Sequence, residues 1–149
     1  MDLNFKTSTF SFASPSPKVS GFSAGKDSIR VLIADDHPRS RRGLRALLTT
    51  WPGVKVVGEA ADGQEAVHLV ETQHPDVVLM DANMPVMDGL EATRQIKEQW
   101  PHTKIILLTV YNGRRAEAFA AGIDVFLAKG CPIDMLYSAI LPSPDGPVK

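Results

Sequence analysis

Two adjacent acids, Asp35 and Asp36, close the apolar run IRVLIA, and a third, Asp81, closes the run VVLM. Thr109 ends KIILLT, and Lys129 follows VFLA. An acid at the end of an oily run is held rigidly at the edge of a core. Three carboxylates brought together repel one another and raise each other's pKa unless a cation sits among them. Hard oxygen ligands in an open pocket suit Mg2+, which keeps several waters and takes one or two carboxylates together with a phosphate oxygen. The hydroxyl of Thr109 and the ammonium of Lys129 suit the equatorial oxygens of a phosphoryl group in transfer, where catalysis is mostly positioning and charge neutralisation. A carboxylate such as Asp81 can itself be the nucleophile and carry the phosphoryl group covalently.

Such a site needs neighbouring elements to deliver its acids. From Ile29 the chain alternates short apolar runs with longer amphipathic stretches, the pattern of a βαβ series on a parallel sheet. The expected strands are IRVLIA (29–34), VKVVGEA from Val54, DVVLM up to Met80, KIILLT from Lys104 and VFLA from Val125. Leu44, Leu47 and Leu48 mark one face of a first helix that Pro52 and Gly53 end. Ala66, Val67 and Val70 mark a second, stopped by His74 and Pro75, and Ala92, Ile96 and Trp100 mark a third from about Leu90 to Gln99. A short fourth helix is expected from about Arg114 to Ala121, capped by Gly122, and a fifth with Pro132 at its first helical position, closed by Pro142. Five βα units predict an α/β, doubly wound parallel sheet, for which the flavodoxin-like (βα)5 arrangement has the order 2-1-3-4-5. In that order the ligand crevice lies where the strand order reverses, between strands one and three, and both end in acids.

With 149 residues, 44% hydrophobic and 22% charged, the chain has the size and balance of one soluble domain. A net charge of -1 offers no broad basic field for nucleic acid or an anionic membrane, so direct DNA binding is not expected. No run approaches the ~20 apolar residues of a membrane helix. The single cysteine, Cys131, suits a reducing cytoplasm. Residues 1–27 are rich in Ser, lack periodicity and read as a disordered tail; they have neither the apolar core of a secretion signal nor the Arg-rich pattern of a transit peptide. The folded domain is expected over 28–141, followed by a short tail at 142–149.

DD at 35–36, LMDANMPVMDG at 79–89, LT at 108–109 and FLAKG at 126–130 together resemble the receiver domain of two-component response regulators. The resemblance covers essentially the whole folded region. It implies that Asp81 is the phosphoacceptor, that Asp36 binds Mg2+ directly and Asp35 largely through water, and that the main-chain carbonyl of Asn83 is the third protein ligand. It further implies that Thr109 and Phe126 form a switch pair and that Lys129 binds the phosphoryl oxygens. The phosphodonor would be a sensor histidine kinase or a histidine phosphotransfer protein; self-phosphorylation would depend on Mg2+, and autodephosphorylation would be slow. DDHP and GEAADGQEAV look most like receivers that precede a helix-turn-helix output domain. The expectation is a stand-alone, cytoplasmic receiver, with the receiver half of a truncated helix-turn-helix regulator as the alternative. A hydrolase on the same fold would need a positioned general base near Asp81, which these motifs do not supply.

Taken singly, several of these residues have plainer readings. Asp81 alone reads as a turn acid, Lys129 as a surface charge, and Phe126 as core. His37 has no His or Cys partner at useful spacing and reads as a loop residue, and His68, His74 and His102 as surface or turn residues. Arg39, Arg41, Arg42 and Arg45 make the first helix basic, either as a solvated face or as a kinase contact. The chain departs from the family in a slightly short interval between Thr109 and Lys129, which trims the fourth helix, and in the early close of the fifth.

Overall fold

The computed structural model of the chain describes residues 28–110 and 113–142. The tail expected at 1–27 and nearly all of that at 142–149 lie outside the described residues. The elements are β1 (Ile29–Ala34), α1 (Pro38–Leu48), β2 (Val54–Ala60), α2 (Gly63–Gln73), β3 (Val77–Asp81), α3 (Gly89–Gln99), β4 (Lys104–Thr109), α4 (Arg115–Ala121), β5 (Val125–Ala128) and α5 (Ile133–Ile140). All strand pairs are parallel, and the sheet order is β2-β1-β3-β4-β5, as expected.

Strand alternation divides the core in two. Leu32, Ala34, Val78, Met80, Ile105 and Leu107 face Ala66 and Val70 of α2, Leu90 and Ile96 of α3, and Ala118 of α4. Val31, Ile33, Leu79, Ile106, Leu108 and Leu127 face Leu48 of α1 and Leu136 and Ile140 of α5. Covered on both faces, the central strands β1, β3 and β4 are almost wholly buried, so they read as unbroken apolar runs. Full burial of each large side chain here contributes ~1.5–3 kcal/mol of transfer free energy. The edge strands β2 and β5 are only partly covered.

Helix ends follow local chemistry. Asp62 and Asp88 cap α2 and α3 by accepting from the Glu65 and Glu91 N–H groups, at 2.8 and 2.9 Å. The Asp88 cap starts α3 at Gly89, one residue before the expected Leu90. Asp76 stands just outside β3: its carboxylate accepts from the Arg30 N–H at 2.8 Å, and its carbonyl accepts from the Lys104 N–H. Pro132 is not the first helical residue. Its ψ of 142° is extended, and its carbonyl accepts from Met135 and Leu136 at 3.0 and 3.4 Å, which makes it the N-cap. Helices α4 and α5 have 7 and 8 residues, against 11 in each of the other three.

Candidate functional site

Parallel pairing brings the carboxyl ends of four strands to one edge. Asp81 is in register with Leu108, and Thr109 with Ala128, so Asp35, Asp81, Thr109 and Lys129 all reach the crevice. One ligand atom from each of Asp35, Asp36, His37 and Asp81 lies within 4.8 Å of the others. Lys129 stands between two of these acids, its Nζ 2.9 Å from Asp35 Oδ2 and 3.4 Å from Asp81 Oδ2.

The two neighbouring acids of the β1–α1 loop are held differently. Asp35 is 1% exposed, and three donors hold its carboxylate. Oδ1 accepts from the His37 N–H at 2.9 Å, while Oδ2 accepts from Ser40 Oγ at 2.7 Å and from Lys129. Arg41 Nη1 donates to the Asp35 carbonyl at 2.6 Å. Asp36 Oδ1, by contrast, is buried and accepts no hydrogen bond among the described residues, although His37 Nδ1 lies 3.1 Å away. A buried carboxylate oxygen without a donor costs free energy unless a cation serves it. That oxygen, with Asp81 and the turn at Asn83, fits a hard divalent cation such as Mg2+. The exposed His37 ring sits at the N-cap of α1 with its Nδ1 inside the acid cluster, closer than a plain loop residue; imidazole is the least suitable ligand of the set for Mg2+.

The electrostatics separate the two buried acids. Burial pushes the Asp81 carboxyl up, the Lys129 charge pulls it back, and the Asp35 charge adds to the rise, so its pKa lies above the usual carboxylate value. Burial also pushes Asp35 up, but hydrogen bonds from Ser40, the His37 N–H and Lys129 outweigh it and hold that acid below. Burial opposes the charge of Lys129, yet its bond to Asp35 and the charges of both acids keep it firmly protonated. Asp81 is therefore the more basic carboxylate and Asp35 the fixed anion.

Asn83 donates its N–H to Asp81 Oδ1 at 3.4 Å, which sets its main chain at the rim of the site. Thr109 is buried at the end of β4, and its carbonyl accepts the Lys129 N–H at 2.9 Å. Thr109 and Phe126 line one cleft of about 790 Å3 together with Asn83 and Arg114. The Arg115 guanidinium lies 5.1 Å from the ring centres of both Phe126 and Phe119, an aromatic-cation contact that covers the Phe126 ring. Arg114 ties the start of α4 to the α3 cap, with Nη2 3.6 Å from Asp88 Oδ2. Sequence reading missed Ser40, Arg41 and Arg115 at the site. Only Ser40 left a usable signal, a hydroxyl in the first turn of the helix that begins directly behind the acid pair.

The loop after Asp81 is tightly held. Val86, 75% exposed, has φ 68°, a left-handed conformation that a β-branched residue rarely adopts. The Met87 N–H donates to the Pro85 carbonyl at 2.7 Å, and the Gly63 N–H to the Met87 carbonyl at 2.9 Å. Val86→Gly should stabilise the chain by about 0.5–1 kcal/mol, the ~1–2 kcal/mol of left-handed strain less the extra unfolded-state entropy of Gly. Urea denaturation measures this, and a lower midpoint would mean that no strain is stored at Val86.

A response regulator receiver domain family model matches residues 31–141. The response regulator UvrY of Escherichia coli (strain K12) is 46% identical over 114 residues, which cover 75% of this chain and 52% of that protein. The chain spans about half the length of the curated relatives it matches. Among solved structures, a two-component response regulator of the LuxR family from Aurantimonas sp. SI85-9A1 aligns with a TM-score of 0.72 at 37% identity, covering 76% of this chain and 82% of that one. A chain of the CheX-CheY-BeF3-Mg+2 complex from Borrelia burgdorferi aligns with a TM-score of 0.70 at 25% identity, covering 75% and 86%.

Proposed function

The chain belongs to the response regulator receiver domain family, and from that premise we propose that it takes a phosphoryl group on Asp81 from the phosphohistidine of a sensor kinase or phosphotransfer protein in the cytoplasm. The observation that carries this reading is the meeting of Asp35 and Asp81, from neighbouring strands, on the single ammonium of Lys129. An Asp81 oxygen attacks phosphorus, the P–N bond breaks, and the imidazole leaves with the bonding pair. Asp81 suits this role because it is the more basic of the two buried carboxylates. Asp36, Asp81 and the Asn83 carbonyl would hold Mg2+ directly, and Asp35 would hold it through water. When bound, Mg2+ neutralises charge on the transferring oxygens. Lys129 is close enough to Asp81 to leave Asp35 for a phosphoryl oxygen, and Thr109 would donate its hydroxyl to another.

The product is an acyl phosphate, which water removes slowly. Asp35, the acid beside it, has its oxygens engaged by three donors and is a poor general base. As the Thr109 hydroxyl is drawn toward the phosphoryl group, Phe126 turns into the cleft the two residues share. That movement is the switch in this reading, and it requires the Phe126 ring to leave Arg115.

A second reading concerns the larger molecule. The matched relatives are about twice the length of the region they share with this chain, which favours a receiver that drives a separate output domain. The coding sequence beyond Lys149 discriminates it from a stand-alone receiver.

Incubation with acetyl phosphate and Mg2+ tests the phosphoacceptor reading. The expected adduct is a single acid-stable, alkali-labile phosphoryl group that maps to Asp81 and fails to form in excess EDTA. An adduct that survives alkali, or maps to a serine or histidine, would overturn it.

A further inference from the structure

Lys129 has two tasks that conflict. Its Nζ is 2.9 Å from Asp35 Oδ2 and 3.4 Å from Asp81 Oδ2, so in this state it favours the acid that is not the proposed phosphoacceptor. To serve a phosphoryl group on Asp81 it must loosen a charge-assisted bond to a buried carboxylate. Such a carboxylate is costly to leave without donors, which works against release.

Ser40 alters that balance. Its hydroxyl donates at 2.7 Å to Oδ2, the same oxygen that Lys129 binds. The other oxygen already accepts from the His37 N–H at 2.9 Å. If Lys129 moves away, each oxygen of Asp35 still keeps one neutral donor from the start of α1. Ser40 carries no charge, so it satisfies the oxygen without competing for the phosphoryl group.

We infer that Ser40 is a positioning residue that frees Lys129 for the phosphoryl group by holding Asp35 Oδ2 in its place. The inference rests on the assignment of Asp81 as phosphoacceptor and adds a residue to it. Without the Ser40 hydroxyl, Lys129 is the sole side-chain donor to Oδ2 and is retained there. Engagement of an anion at Asp81 then weakens, while the direct places at Asp36 and Asp81 for the cation are unchanged.

The test uses Ser40→Val and Ser40→Thr, which share a shape and differ in the hydroxyl. Beryllofluoride serves as the phosphoryl mimic, with Mg2+ in excess and binding followed by 19F NMR. Ser40→Val should bind beryllofluoride about tenfold more weakly than the unmodified chain, the lower end of what a hydrogen bond to a charged group is worth, and Ser40→Thr should restore it. Mg2+ affinity measured without beryllofluoride should stay within about twofold, since Ser40 touches none of the direct ligands. In a Lys129→Ala background, Ser40→Val should have no further effect on beryllofluoride binding, because the residue it frees is absent. Equal beryllofluoride binding by Ser40→Val and Ser40→Thr, or an undiminished Ser40 effect without Lys129, would overturn the inference. Failure of the unmodified chain to bind beryllofluoride would instead overturn the phosphoacceptor assignment.

Discussion

A chain carrying Asp81→Asn is expected to take up no phosphoryl group from acetyl phosphate, and to be at least as stable as the unmodified chain when metal is chelated. Asn keeps the shape of Asp but lacks the anionic oxygen that attacks phosphorus, so the covalent step has no nucleophile. The stability half of the prediction follows from linkage. An acid whose folded pKa is raised by burial and a neighbouring anion destabilises the fold when it is ionised. That penalty is absent below the ordinary value of 3.8, where both states are protonated, grows as the pH rises toward the elevated folded value, and is fully present above it. Replacing Asp81 with a neutral side chain removes it. Intact-mass labelling and urea denaturation in EDTA read the two halves separately. Residual labelling at the level of the unmodified chain would exclude Asp81 as phosphoacceptor, and lost labelling with a collapsed fold would leave the chemistry unproven.

The second large effect lies in the acid pair. Asp36→Ala should weaken Mg2+ binding by about a hundredfold or more, and Asp35→Ala on the order of tenfold, the cost typical of an outer partner. The difference follows from how the two carboxylates are served. A cation reaching Asp35 must displace Ser40, Lys129 or the His37 N–H, whereas Asp36 Oδ1 is buried with no donor among the described residues. Isothermal titration with MgCl2 measures both. Equal losses would mean that the two acids ligate alike, and a reversed order would give Asp35 the direct place.

Much of this was legible in the sequence, for reasons that differ by residue. The expected ends of β1, β2, β4 and β5 match the observed ones, while β3 lies one residue later than expected because Asp76 accepts the Arg30 N–H and Asp81 continues the strand. Asp35, Asp81, Thr109 and Lys129 were found because the sheet order places the end of each strand at one edge, so position along the chain suffices. The misplaced boundaries have local causes. Asp88 starts α3 early by capping, and Pro132 accepts the first turn of α5 instead of joining it. Ser40 leaves only a hydroxyl in the first turn of α1 as a signal, and Arg115 leaves none. Ser40 shares Asp35 Oδ2 with Lys129, and Arg115 lies against Phe126, and no local pattern records either meeting.

The short edge strand β5 has one further consequence. It has four residues, pairs with β4 alone among the described residues, and carries Phe126 within it and Lys129 directly behind it. Edge segments with few buried contacts detach well before the whole molecule unfolds. Fraying of β5 would draw Lys129 away from the acids and Phe126 out of its cleft together, while the acids of β1 and β3 stay on the central strands. Heat or mild denaturant should therefore disarm the proposed phosphoryl site before it dissolves the sheet, and the site should reform as soon as β5 reseats.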